Sequence, residues 1–143
     1  MLSLTCKTAI KAVIYLSSQS AEGVKTSIKE IAESIQASEH TVGKILQQLA
    51  KKKIIKSLKG PLGGFFLSTE QQAQPIIKIV KAIEGEEIFQ ECGLGLSKCS
   101  ASHPCPVHDE YKVVREMMEK IFNDRTIQSL RESVINGETY LVG

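Results

Sequence analysis

With 143 residues, the chain has room for one domain, or for one small domain with an extension. Its 42% hydrophobic and 24% charged residues are ordinary for a soluble globular protein, and no apolar run approaches the ~18 residues of a membrane helix. The net charge of +2 excludes little, but its distribution is uneven: six lysines and no acid from Lys44 to Lys59, four glutamates and no base from Glu84 to Glu91. The basic block is a candidate phosphate-binding face, with a solvated helix face as the plainer alternative. Lys7 and Lys11 interrupt the first apolar stretch, so no secretory signal is expected and a reducing cytoplasm is the expected location.

The pattern predicts a first helix from about Thr5 to Ser20, with Ile10, Val13, Ile14 and Leu16 apolar and Ala9 and Ala12 packed close. Gly23 suits its end, and Cys6 is expected as a small buried residue rather than a ligand. Ser27-Ile-Lys-Glu30 has the form of a capping box, followed by Ile28, Ile31, Ala32 and Ile35 at helical spacing. That short helix should end near Gln36. Ser38 then caps a helix with Val42, Ile45, Leu46 and Leu49 on its buried face. Two short helices, a tight turn and a polar N-terminal end on the second make a helix-turn-helix.

Ile54, Ile55 and Leu58 read as a strand, Lys59-Gly-Pro-Leu-Gly-Gly64 as a turn, and Phe65 to Leu67 as a second strand. A hairpin directly after a recognition-like helix is a wing. Its glycine-rich tip is no nucleotide-binding loop, because no Gly-Lys-Ser/Thr follows. Lys44, Lys51, Lys52, Lys56 and Lys59 are the candidate phosphate contacts, with Gly60 at the wing tip. Ser38, His40 and Thr41 are the candidates for reading base edges, since a recognition helix enters the groove N-terminus first. All three arginines, Arg115, Arg125 and Arg131, lie in the last third, so bidentate arginine–guanine contacts are not expected from this head.

Pro75 opens a further helix with Ile76, Ile79, Val80 and Ile83 as its stripe, stopped at Glu84-Gly85. Next comes CGLGLSKCSASHPCPVH, residues 92–108, which holds Cys92, Cys99, Cys105, His103 and His108 among glycines, serines and prolines. That is loop chemistry. Soft thiolates gathered on a loop suit zinc, an iron–sulfur cluster or thiol redox work. From Val107 onward, Val107, Tyr111, Val114, Met118 and Ile121 recur at intervals of four and three, widened by Val113, Met117 and Phe122. So broad a stripe needs a partner, expected to be a second copy of the chain, with packing on the head as the alternative. Thr126 to Ser133 should form one more short helix before a frayed tail.

The expected fold is therefore mainly α with a small β-hairpin wing. Residues 1–85 form a winged helix-turn-helix DNA-binding domain, 86–106 a cysteine-rich loop, and 107–143 a dimerisation helix and tail. No nucleophile–base–orienter set stands out, so no catalysis is expected.

The run Ser27-Ile-Lys-Glu-Ile-Ala, the helix from Val42 to Leu49, Lys59-Gly-Pro-Leu-Gly-Gly-Phe, and the three-cysteine loop with the helix behind it resemble the winged-helix iron–sulfur regulators of the IscR/NsrR type. That family comprises the cluster-biosynthesis regulator, the nitric-oxide-sensitive repressor and their relatives. The resemblance covers nearly the whole chain. It implies a cytoplasmic homodimer with crossed long helices, a palindromic operator in double-stranded DNA, no membrane, and one cluster per subunit. Carried over, Cys92, Cys99 and Cys105 match the family's cysteine ligands, and His108 the nitrogen ligand of the biosynthesis regulators. In the nitric-oxide-sensing branch an aspartate of the first helix is the fourth ligand; Lys7 stands in that region here and cannot replace it. His103, beside Pro104, is the reserve ligand. The first cysteine interval is one residue longer than in the biosynthesis regulators, and Gly43 stands where they carry an acidic reading residue. The expected cofactor is a 2Fe-2S cluster, with 4Fe-4S as the other nuclearity and zinc as the alternative. The expected function is a transcriptional regulator sensing redox, nitric oxide or iron–sulfur status. Its rivals are a same-fold repressor with a thiol or zinc switch, and an iron–sulfur carrier.

Overall fold

The computed structural model describes residues 2–20 and 24–143. Gly23, expected to close the first helix, lies outside them. The element order is α1 (Leu4–Gln19), α2 (Ile28–Ile35), α3 (Glu39–Lys51), β1 (Lys56–Leu58), β2 (Gly64–Phe66), α4 (Thr69–Gln72), α5 (Ile77–Glu84), α6 (His108–Asp124) and α7 (Ile127–Ile135). Among the described residues no helix is long and apolar enough to cross a membrane.

The first three helices each start at a side-chain cap. Ser3, Ser27 and Ser38 accept from the amides of Cys6, Glu30 and Thr41, each relieving one otherwise orphaned donor. Gln36 ends α2 at φ 56°, a left-handed conformation costing a non-glycine residue ~1–2 kcal/mol. The Ala37 amide offsets it by reaching Ala32 O at 2.9 Å. That turn sets α3 across α2, and Ile31, Ile35, Val42, Ile45, Leu46 and Leu49 bury against Ala9, Ala12, Val13 and Leu16 of α1. Full burial of each large aliphatic side chain contributes about 1.5–3 kcal/mol.

The wing is present, but its first strand begins later than the residues suggest. Lys53 takes φ 61° after α3, and the Ile54 amide closes on Leu49 O at 3.0 Å. Ile54 and Ile55 therefore turn down into the core as a plug, and β1 starts at Lys56. β1 and β2 pair antiparallel, Ser57 opposite Phe65. Thr26 exchanges both backbone hydrogen bonds with Phe65, at 2.9 Å each, which ties the wing's base to the residue before the α2 cap. Gly63 has no room for a side chain: a Cβ there would stand 2.0 Å from Leu58 O.

The short α4 is an element the pattern did not predict; Ser68 and Gln71 form its capping box. Pro75 does not itself open α5, which starts at Ile77. It bridges to Thr126, with Ile76 N–H on Arg125 O and Ile127 N–H on Gln74 O. That bridge returns α7 to the head, where it packs on α1. Arg131 of α7 and Ser17 of α1 both donate to the buried Gln72 side chain. The tail is tied back at its start, the amides of Glu138 and Thr139 reaching Ser133 O.

A second apolar cluster joins Cys6, Ile76, Ile77, Val80 and Phe89, with Met118 and Phe122 of α6 against it. The stripe foreseen on α6 divides in two. Tyr111, Met118 and Phe122 are half-buried on the inner side, whereas Val113, Val114, Met117 and Ile121 are exposed. The head does not cover that outer face.

Candidate nucleic-acid interface and cysteine loop

The outer face of α3 carries His40, Lys44, Gln47 and Lys51 at intervals of four, three and four, all exposed. Gln47 and Lys51 look onto a groove of about 640 Å³ between α3, the start of α2 and the wing, lined also by Ser27, Lys29, Ser57, Lys59 and Gly60 among others. Lys56 is exposed on β1, and Gly60 turns the wing tip at φ 103°. Thr41 is half-buried, and the Ser38 hydroxyl donates to its Oγ1 at 2.8 Å, so Ser38 is committed to the cap.

Lys52 does not join this face. Its ammonium donates to Ala82 O at 2.9 Å, beside Gln48 Nε2 at the same distance, and it borders a separate cleft with Lys53, Lys78 and Lys81. The acceptor is the last turn of α5, where a cation is favoured by the helix dipole. Gly43 is buried, with Ile28 Cδ1 of α2 3.4 Å from where a Cβ would lie, so position 43 faces the neighbouring helix. Lys29 and Gln47, which the residue pattern does not single out, also line the groove. Gln47 was legible at three residues beyond Lys44, whereas Lys29 required knowing how α2 meets the wing.

The loop from Gly85 to Val107 consists of turns and bends. Phe89, buried, anchors its start and stacks obliquely on Phe122 with centroids 6.3 Å apart. The chain then passes so close over Tyr111 that a Cβ on Gly93 would lie 2.6 Å from the ring. Gly93→Ala is expected to lift this segment, read as faster amide exchange from Cys92 to Cys99 with protection in α1–α3 unchanged.

Next to Gly93, the Cys92 sulfur accepts from the Leu94 amide at 3.4 Å. The Leu94 and Leu96 amides, and less so the Cys105 thiol and the Gly95 amide, pull the Cys92 thiol below its ordinary pKa. Cys99 Sγ lies 3.4 Å from His108 Nδ1 and accepts from Arg115 Nη1 at 3.3 Å. Cys105 and His108 are buried, and the His108 amide donates to Cys105 O at 3.1 Å. Cys99 thus pairs directly with His108, while the Cys105 thiol acts on Cys92 only as a lesser influence on its acidity. Among the described residues, no three His, Cys, Asp or Glu side chains converge on one ion. All four cysteines are free thiols. His103 is exposed, as is Lys7. Cys6 is fully buried beside Glu84; burial first, then that carboxylate's charge and hydrogen bond, push its thiol up to about 12. It is a core residue. A cleft of about 450 Å³ opens between the Glu87–Cys92 and Gly95–Cys99 segments.

The model of the Rrf2 family, described as an iron-dependent transcriptional regulator, matches residues 2–133. An HTH-type transcriptional regulator of Aquifex aeolicus is 30% identical over 128 residues, 88% of each chain. Among solved structures, T. potens IscR aligns with a TM-score of 0.74 at 19% identity, over 97% of this chain and 91% of that one. CymR, the global cysteine regulator of Bacillus subtilis, aligns at 0.73 and 21%, over 92% and 96%. These likenesses show the fold, and the winged helix-turn-helix expected from the residues is the fold they share. The match along residues 2–133 makes this chain a member of the Rrf2 family, whose proteins are transcriptional regulators and not enzymes.

Proposed function

We propose that this regulator acts in the cytoplasm as a homodimer. It sets α3 and the wing of each subunit on a palindromic operator, and senses iron–sulfur, redox or nitric-oxide status through Cys92, Cys99, Cys105 and His108. The observation that carries the sensing part is the Cys99–His108 pair, with no third donor converging on it among the described residues. A tetrahedral zinc site needs four donors on one ion, whereas a two-iron cluster takes two protein donors at each iron. One such Cys–His pair, with N–H groups aimed at the Cys92 and Cys99 sulfurs, fits a 2Fe-2S cluster better than one zinc. Bound there, the group supplies a redox-active and nitric-oxide-labile centre. The chain's own part is to hold the loop against α6 through His108 and Gly93–Tyr111. It also passes the loop's position through Phe89 to α5, whose Ala82 carbonyl is gripped by Gln48 and Lys52 of α3.

One observation favours a second reading. Cys92 and Cys105 are neighbouring thiols, so an oxidant such as a peroxide could take two electrons from them, releasing two protons and forming a disulfide. Visible absorption and metal analysis of anaerobically purified protein separate the two. Sulfur-to-iron bands with acid-labile sulfide support the cluster. A colourless protein whose DNA affinity follows Cys92–Cys105 oxidation supports the thiol switch, and a colourless protein with stoichiometric zinc supports neither.

At the DNA face, Lys59→Ala is expected to leave the fold intact. It should flatten the slope of log affinity on log salt by about 0.9 for each phosphate the variant no longer neutralises, measured by titration of duplex operator at several salt concentrations. Lys52→Ala should leave that slope unchanged.

A further inference from the structure

We infer that Arg115 is the positioning residue of the loop: it straps the loop's first turn to its middle and holds a positive N–H donor on the Cys99 sulfur. His108, Tyr111 and Arg115 stand at intervals of three and four on α6, and all three meet the loop. Arg115 Nη1 donates to Glu91 O at 2.6 Å and to Cys99 Sγ at 3.3 Å, acceptors eight residues apart. One planar group therefore closes the segment in which Cys92 lies. Among the described residues its Nε is buried without a hydrogen-bond partner. A solvated surface arginine bears no such cost, and here the side chain lines a cleft together with Leu2, Phe89, Tyr111 and Met118. Neither acceptor could be read from the sequence, because they lie 24 and 16 residues away.

The consequence for a bound cluster rests on the reading given under Proposed function. A cation and an N–H donor at a ligating sulfur stabilise the more negative, reduced form, and so raise the reduction potential. Arg115→Gln removes the charge; Arg115→Lys keeps it but loses the fork.

The test has two arms. In the cluster-free protein, hydrogen exchange of residues 91–99 is expected to quicken severalfold in Arg115→Gln and less in Arg115→Lys, with α1–α3 unchanged. Equal exchange in all three proteins overturns the strap. In the loaded protein, a redox titration with dithionite as electron donor is expected to show a lower midpoint for Arg115→Gln. The expected shift is about tenfold in the one-electron equilibrium, or about 59 mV, largely restored in Arg115→Lys. An unchanged midpoint overturns the tuning role, since a purely structural contact would alter loading but not the potential. If the wild-type protein loads no cluster, the cluster reading fails, and the exchange arm still decides the strap.

Discussion

Replacing Cys92, Cys99 and Cys105 together with alanine is expected to leave α1–α7 folded and to make operator occupancy the same in iron-replete and iron-starved cells. The fold should survive because the loop sulfurs lie apart from the main core of α1, α2 and α3, and only Cys105 among them is buried. The response should vanish because a ligand shifts a conformational equilibrium only by its differential affinity for the two arrangements, and these variants bind none. Couplings between sites are ordinarily about 1–3 kcal/mol, so a wild-type difference of about 5- to 150-fold in operator affinity, and the occupancy difference it produces, should collapse to none. Genome-wide footprinting under the two iron regimes reads it. A triple variant that still distinguishes the regimes would sink the sensor role of the loop. His108→Ala should be milder, because three thiolates remain and a nearby group or water can complete the set.

Much of this was legible in the residues, and what was not has a common cause. Caps are local: a serine followed three residues later by the amide it accepts from is written in the chain, so Ser27 and Ser38 mark their helices correctly. The glycines, serines and prolines around the cysteines likewise announce a loop, which the structure has. The misread stretches depend on distant partners. Ile54 and Ile55 are β-branched and strand-like, but Lys53 in a left-handed conformation turns them into the core they share with α1. Lys52 belongs to the basic block in sequence, yet its acceptor is the carbonyl of Ala82, thirty residues on. The Ser68–Gln71 box was visible in principle, but a helix of four residues carries no periodicity to draw attention to it. Spacing could gather Cys92, Cys99, Cys105 and His108, but it could not say that Cys99 meets His108, because that depends on how the loop lies across α6.

The remaining large effect concerns the outer side of α6. Met117→Glu with Ile121→Glu is expected to yield monomers by analytical ultracentrifugation and to lower affinity for a palindromic operator by about 10²–10⁴-fold. Val113, Val114, Met117 and Ile121 are about half exposed or more, contiguous along the helix and uncovered by their own head. A patch of this kind on a small protein marks an association site. If two copies meet there about a two-fold axis, each face opposes its own counterpart, so the double variant puts four carboxylates into one apolar seam. Burying them unpaired costs several kcal/mol, more than the packing of one helix pair returns. The DNA term follows from valency: two linked heads gain about 10²–10⁴ in avidity over one, and monomers forfeit it with every DNA-facing side chain intact. Half-site binding should therefore be unchanged, which separates lost pairing from a damaged head. Because Tyr111, Met118 and Phe122 turn inward from the substituted positions, thermal unfolding of the variant should resemble that of the wild-type protein at high dilution. A double variant that remains dimeric would move the subunit interface to another surface and leave this face for a different partner.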